Sequence, residues 1–542
     1  MFQCLRASMS AYADGSIVTT VRRLKSPIRN RLSFHEKRSD GCSIPQRQAE
    51  LMLRLPDLAV LVRPHVLSFL AILLVAGCMT NPATGERQIA PLMSEEQEAQ
   101  AGAAAHPKIV EAYGGVYGDE KLGAYVAGVT ARIVKATNRP DGPYRVTVLD
   151  SPVVNAFALP GGYVYVTRGL MALVNDEAEL AGVIGHEIGH VNARHSAQRQ
   201  TAAMGTSLLG AVLGAVVGSD AVNQIVGLGG QGLLANYSRE QEYEADMLGV
   251  RYLAKAGYDP YAAADFLQSM NAQEELRAQM RNAQYDASRN DWLASHPATP
   301  SRVAAARQYA GEAGSATGQL PRNGSAYLSA IDGMLYGDDP EEGLVRDREF
   351  IHPKLRFAFE APQHFTVTNS ARMVLVEGPE GTVAQFDGAK KADGVEIGQY
   401  LAAVWAKGVK VSEVERFKVN GMSAATATAK VGKYNGRLVA IEYAPDVVYR
   451  FLIGTLPQTG ARYDSAIHAL VTSFRKISAA EANVVKPMRI EIVQVGSGDT
   501  AETLGRRMVF SDHAAERFRV LNGLWPSGQP IKGQRVKLVV AR

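Results

Sequence analysis

A chain of 542 residues is too long for one ordinary hydrophobic core, so two or three domains are expected. Its net charge of +4 is small for that length and no aromatic-studded basic tract occurs, which argues against nucleic acid as a partner. The three cysteines, Cys4, Cys42 and Cys78, fit neither a metal-site nor a disulfide spacing, and nothing beyond Cys78 can form a disulfide.

The apolar run from Val66 to Cys78 follows Arg54 and Arg63 and ends in small residues. That is the layout of a secretory signal peptide, and the run is too short for a comfortable membrane span. Val75-Ala76-Gly77-Cys78 resembles the bacterial lipobox, which implies cleavage before Cys78 and lipid attachment to its thiol. A membrane anchor with an incidental cysteine is the competing reading. Residues 52–77 are thus expected to be a lipoprotein signal peptide, and residues 1–51 a disordered leader or a mis-assigned start, with Met52 as the natural first residue. Met79 after the cysteine, in place of aspartate, favours the outer over the inner membrane for a bacterial source.

A polar tether, residues 81–85, precedes a helix opened by Ser94 and Gln97 at capping-box spacing. Residues 144–149, 156–159 and 163–166 alternate β-branched and aromatic side chains around Gly161-Gly162 and predict strands with a hairpin. The segment 175–191 then predicts a helix, capped at Asp176, with Leu180, Val183, Ile184, Ile188 and Val191 on one apolar stripe. His186 and His190 stand one turn apart on another flank. Two imidazoles so placed reach one tetrahedral zinc, and Glu187 between them is aimed at the open coordination position as general base toward water.

A hydrolytic zinc needs a third protein ligand. Ser238 and Gln241 open a further capped helix, on which Glu242 and Asp246 share a flank one turn apart. Glu242 is the expected third ligand, and Asp246 the acceptor that holds the distal nitrogen of a ligand histidine. Glu240 and Glu244 are expected to point elsewhere, and His195 to face solvent or pack locally. Residues 204–218 and 221–235 are apolar and each shorter than the roughly twenty residues of a span. They read either as a hairpin over the site or dipping into a membrane surface, or as two buried helices.

Residues 155–162, His186-Glu187-Ile188-Gly189-His190, Glu242-Tyr243-Glu244-Ala245-Asp246 and Ser295-His296-Pro297 together resemble the zinc metallopeptidase family of the CAAX prenyl endopeptidases, HtpX and BepA-like proteases, across about residues 90–310. The resemblance implies a gluzincin fold with one zinc per chain and a small sheet whose edge, through Asn155 and Ala156, pairs with extended substrate. His296 has three readings: an oxyanion donor, a zinc ligand in a closed resting state, or an ordinary loop histidine. Arg302 is a further candidate for the oxyanion.

The expected fold class is α+β. A mainly helical peptidase domain (78–310) with a small sheet is followed by a linker (311–325), an α+β accessory domain (326–478) for binding or scaffolding, and a small unit (488–542). That last unit reads strand, helix, helix, strand and resembles the LysM module, which implies recognition of peptidoglycan; a unit that only packs on its neighbours is the alternative. The expected function is a zinc metalloendopeptidase of the cell envelope, lipid-anchored on the periplasmic side, acting on misfolded or mis-assembled envelope polypeptides. Two alternatives stand beside it: an envelope chaperone or scaffold lipoprotein with restrained protease activity, and a zinc hydrolase of glycan-linked peptides.

Overall fold

The computed structural model describes residues 78–89, 93–201, 237–280, 296, 300–314, 318–370 and 373–542. The stretches expected to be a leader and a signal peptide, the two apolar stretches within 204–235, and Ser295 and Pro297 lie outside the described residues. Cys78 opens a short strand, β1 (Cys78–Thr80), followed by β2 (Arg87–Ile89). None of the helices among the described residues is long and apolar enough to cross a membrane.

The first body is mixed helix and sheet, built around one helix. Helices α1 (Glu95–Ala112) and α2 (Glu120–Ala136) precede a three-stranded sheet of β3 (Arg145–Leu149), β4 (Ala156–Leu159) and β5 (Tyr163–Thr167). Its order is β3-β5-β4, with β3 parallel and β4 antiparallel to β5, so β4 lies at an edge. The β4–β5 hairpin turns where expected, because Gly161 and Gly162 both take φ near +85°, which other residues avoid.

After α3 (Arg168–Leu173) comes α4 (Glu177–Asn192), which carries both motif histidines. The helix expected to be amphipathic is buried on nearly every side, with only Val191 and none of its other residues partly exposed. Its glycines explain this. α5 (Arg239–Lys255) crosses α4 at Gly185 and Gly249, so closely that a Cβ on Gly249 would lie 3.0 Å from the backbone nitrogen of His186. α2 and α6 (Ala262–Met280) pack on other faces, and α7 (Pro300–Glu312) packs on α5 and α6.

The domain boundaries differ from expectation. Residues 318–323 are no free linker: Arg322 bonds Asp176 and Asp265 at 2.7 and 2.8 Å, closing the start of α4. Helix α8 (Gly324–Ile331) buries Tyr327, Leu328 and Ile331 in the same core as α4, so the accessory body does not begin at 326. Next comes β6 (Leu335–Tyr336), which pairs with a strand more than 150 residues on, β18 (Met488–Gln494).

Between those two paired strands sits a body with its own core. It contains a four-stranded sheet of β7 (Leu344–Arg346), β8 (Glu349–His352), β9 (Phe357–Glu360) and β17 (Arg475–Lys476), in the order β17-β9-β8-β7. Its seven-stranded antiparallel sheet is built from β10 (Thr366–Asn369), β11 (Val374–Glu377), β12 (Val383–Lys390), β13 (Glu415–Val419), β14 (Met422–Val431), β15 (Tyr434–Ala444) and β16 (Val447–Thr455), in the order β10-β11-β12-β16-β15-β14-β13. Phe350, Phe357 and Phe359 meet Phe386, Phe451 and Phe474 between them. Helix α9 (Asp464–Ser473) covers the remaining face with Ile467, Leu470 and Val471.

The C-terminal unit has the expected order: β18, α10 (Ala501–Gly505), α11 (Ala514–Leu521) and β19 (Arg535–Ala541), with β18 and β19 antiparallel. It is fused to the first body, since Ile490, Val520, Leu521 and Val539 lie in the core around α4. Its fully buried Lys537 donates to the carbonyls of Ala172, Leu173 and Val174 at 2.8, 3.2 and 2.7 Å, capping the end of α3.

Candidate metal centre

The local signals at the site hold. Asp176 accepts from the Glu179 amide at 2.8 Å and caps α4, while Ser238 and Gln241 form the capping box that opens α5. The glycine-packed crossing then sets His186 and His190 of α4 against Glu242 and Asp246 of α5. His296 joins them before α7, and each of these side chains is at most 7% exposed.

The metal-facing atoms converge. His186 Nε2 lies 3.0 Å from His190 Nε2, 3.4 Å from His296 Nδ1 and 3.6 Å from Glu242 Oε2. Glu242 Oε1 lies 3.5 Å from His190 Nε2 and 2.8 Å from His296 Nδ1. Ligands ~2.1 Å from one tetrahedral zinc stand about 3.4 Å from each other, so this spacing and this nitrogen and oxygen donor set fit zinc. His186, His190, Glu242 and His296 form the one group among the described residues with such a geometry.

The surroundings hold these donors in place. His186 Nδ1 sits 3.0 Å from Asp246 Oδ1, the expected partnership. Arg302 grips Asp246 with two bonds of 2.7 Å and reaches Glu242 Oε2 at 2.8 Å. Burial pushes both carboxyls up, but the charges facing them outweigh it. Asp246 ends at about 2, chiefly through Arg302, and Glu242 ends below the usual range through His296 and Arg302. Burial and neighbouring imidazoles push His190 well down, leaving it neutral with a lone pair to offer. His186 is pulled down by burial and raised past its ordinary value by Asp246 and Glu242.

Glu187 is fully buried beside this group, and neither carboxylate oxygen has a hydrogen-bond partner among the described residues. His296 Nε2 lies 3.8 Å from its Oε1. Burial raises its pKa, with His296 and His186 opposing. A buried carboxylate left without a hydrogen bond costs stability, so the site keeps it at a cost.

Asn155 immediately precedes edge strand β4. Its side chain donates to the Tyr113 hydroxyl at 3.3 Å and its Oδ1 has no partner among the described residues. Ala156 pairs with Val166 on the inner side of the strand. Ala158 and Pro160 line a narrow crevice with His190, Arg194 and Tyr237. The expected edge strand therefore runs beside the donor group.

Of the two readings of His195, solvent exposure fails and local packing holds: it is fully buried, with Nδ1 2.7 Å from His190 Nδ1. Glu244 stands outside the donor group, with its Oε2 3.3 Å from His195 Nε2. The helix breaks after Asn192, with Arg194 at φ +58°, so spacing counted along an unbroken helix puts His195 on the wrong side. Tyr237, which sequence reasoning passed over, stacks on the His190 ring at 3.8 Å and 15°. No residue pattern announced it.

Residues 120–310 match the family model described as Peptidase family M48. The chain is similar to mitochondrial metalloendopeptidase OMA1 of Arabidopsis thaliana, 42% identical over 24% of this chain and 26% of the relative. It is similar to OMA1 of Schizosaccharomyces pombe, 33% identical over 36% of this chain and 57% of the relative. It is also similar to the beta-barrel assembly-enhancing protease of Escherichia coli, 30% identical over 36% of this chain and 40% of the relative. The chain thus spans between about a quarter and somewhat over half of these relatives' lengths.

Proposed function

We propose that this chain, whose residues 120–310 form a peptidase family M48 domain, is a zinc-dependent metalloendopeptidase of the bacterial envelope. The observation that carries the reading is the buried convergence of His186, His190 and Glu242, with Glu187 beside them and without a hydrogen-bond partner among the described residues.

Zinc held by His186, His190 and Glu242 supplies Lewis acidity toward a scissile carbonyl and toward water. Glu187 takes the proton from the attacking water on a carboxylate oxygen and returns it to the leaving amine nitrogen. Its raised pKa suits both halves of that exchange, because a carboxyl poised nearer neutrality gives a proton back readily. Asp246 fixes the ring of His186, and Arg302 holds Asp246 and Glu242 in their ionised forms. With its guanidinium committed to two carboxylates and 3% exposed, Arg302 acts on them rather than on a substrate oxygen. The edge of β4, from Asn155 and Ala156 onward, offers backbone groups to an extended polypeptide. His296, within reach of Glu242 and His186, would serve either as a fourth zinc donor or as an oxyanion donor.

The substrates in this reading are misfolded or mis-assembled envelope polypeptides, in keeping with the name of the Escherichia coli relative. The lipobox-like Val75–Cys78 motif supports a lipid on Cys78 and a periplasmic, outer-membrane position. The strand, helix, helix, strand order of residues 488–542 supports a LysM-like tail with affinity for peptidoglycan. The restrained-chaperone reading draws on one observation, the four donors already engaged with each other.

The test is cleavage of denatured casein by the full chain with zinc content measured alongside. Wild type should hold one zinc and lose activity to a chelator, while Glu187→Gln should hold one zinc and lose activity by about 10²–10⁴-fold. Undiminished cleavage by pure Glu187→Gln removes the base assignment, and a wild type without zinc or chelator-sensitive cleavage removes the peptidase reading.

A further inference from the structure

The two motif histidines are supported differently. His186 leans on a carboxylate directly, whereas His190 leans on another imidazole: His190 Nδ1 and His195 Nδ1 are 2.7 Å apart, both rings buried. Two ring nitrogens at that distance share one hydrogen, so one donates and the other accepts. His190 turns Nε2 toward His186 and Glu242, which places its proton on Nδ1. His195 therefore accepts at Nδ1 and carries its own proton on Nε2, 3.3 Å from Glu244 Oε2. Glu244 Oε1 in turn accepts from Asn81 Nδ2 at 2.5 Å, and Asn81 is 3% exposed. Both histidine bonds are donated in the same direction, away from the donor group, and the Asn81 amide meets them from the far side at the Glu244 carboxylate.

The backbone spends strain to make that contact. In an unbroken helix, residue 195 would sit about 140° around the axis from residue 190. Instead α4 ends, and Arg194 takes φ +58°, a left-handed conformation that residues other than glycine avoid. Arg194 is held there by Glu98, 2.8 Å from its Nε, and by the Met93 carbonyl at 2.7 Å. Meanwhile Tyr237, stacked at 3.8 Å, sets the plane of the His190 ring, leaving rotation within that plane to be set by the bond it donates to His195.

We propose that His195 is a positioning residue for the metal ligand His190: anchored by Glu244, it holds His190 in the tautomer and rotation that direct Nε2 to zinc. This rests on the zinc reading of His186, His190 and Glu242. A ligand imidazole is commonly held by a carboxylate or carbonyl; here an interposed neutral ring carries the hold to the carboxylate of Glu244.

The experiment measures zinc affinity of the full chain by chelator competition, the visible spectrum of the cobalt-substituted protein, and the melting temperature of the zinc-free protein. Three proteins are compared: wild type, His195→Phe and His195→Asn. The amide oxygen of asparagine takes nearly the place of a histidine Nδ1, so it can still accept from His190. His195→Phe should weaken zinc binding by about 10–100-fold and alter the cobalt spectrum, while His195→Asn should recover affinity to within about threefold. Should His195→Phe bind zinc as tightly as wild type, or should both variants lose affinity only in step with the zinc-free melting temperature, His195 is packing and the inference is overturned. A wild type that binds no zinc fails the reading of the site itself, an outcome separate from either variant's.

Discussion

The body around α4 and the body between β6 and β18 are neighbours in the chain, yet they close their cores in opposite ways. The first gathers its core from nearly the whole sequence: Tyr327, Ile331, Ile490, Val520, Leu521 and Val539 bury against helices of the metal centre. The second uses only its own stretch, with every buried member of its aromatic core falling between Phe350 and Phe474. Composition marks where a chain is glycine- and proline-rich. It does not mark which apolar faces meet, and that is what decides whether a segment is a separate body. The C-terminal unit, farthest from the motif histidines in sequence, is structurally part of their support.

The strongest way to break this comparison is to end the chain at residue 314. The six side chains above are worth roughly 1.5–3 kcal/mol each on burial, a sum on the order of 10 kcal/mol or more. Total stabilities are about 5–15 kcal/mol. The truncated protein should therefore fail to give a cooperative melt or bind zinc, although it keeps His186, His190, Glu242 and His296. A shortened chain that folds and binds zinc at wild-type affinity would show that the C-terminal unit is merely docked.

A smaller effect sharpens the other side. His352 of the inserted body is buried against Phe350 and Phe357, and desolvation lowers its pKa from 6.5 to about 4. The unfolded chain takes up this proton near pH 6.5 and the folded body only near pH 4. Between those values the unfolded state binds more protons, so stability falls as pH falls. The contribution should reach roughly 1–2 kcal/mol by pH 4. Calorimetric melting should show that slope in wild type and a flatter one in His352→Gln. Equal slopes would mean the ring is protonated at ordinary values in the folded state.

Much of the candidate site was readable because its signals are local. Asp176, Ser238 and Gln241 cap helices through groups three residues away, and a four-residue spacing on a helix needs no tertiary knowledge. Glu242 and Asp246 followed from the same periodicity, as did the hairpin from its paired glycines. What escaped was tertiary or irregular. Gly185 and Gly249 look like weak helix residues in sequence, and their use as a backbone-to-backbone crossing depends on which helices meet. The contact of His195 with His190 could not be counted along a helix, because one left-handed residue, Arg194, breaks it. Lys537 in a strand reads as a solvated charge, and its three carbonyl partners lie more than 360 residues earlier.

The gentlest intervention is the most discriminating. Tyr336 pairs with Met488 and Leu335 with Arg489, so the inserted body leaves and rejoins the first body at adjacent positions of one antiparallel ladder. Residues directly opposite in such a ladder are only about 5 Å apart, a gap that a turn of two to five residues spans. Replacing residues 338–486 by a short glycine-containing turn should convert β6 and β18 into a hairpin. It keeps Gly337, whose carbonyl accepts from Arg168 at 3.0 Å. The excised protein should hold one zinc and cleave denatured casein within about threefold of wild type, its melting temperature shifted by a few degrees. Retained casein cleavage with lost action on folded envelope proteins would assign the inserted body to substrate capture. Loss of zinc would mean instead that this self-contained core props the metal centre through its outer surface, and the contrast between the two bodies would not hold.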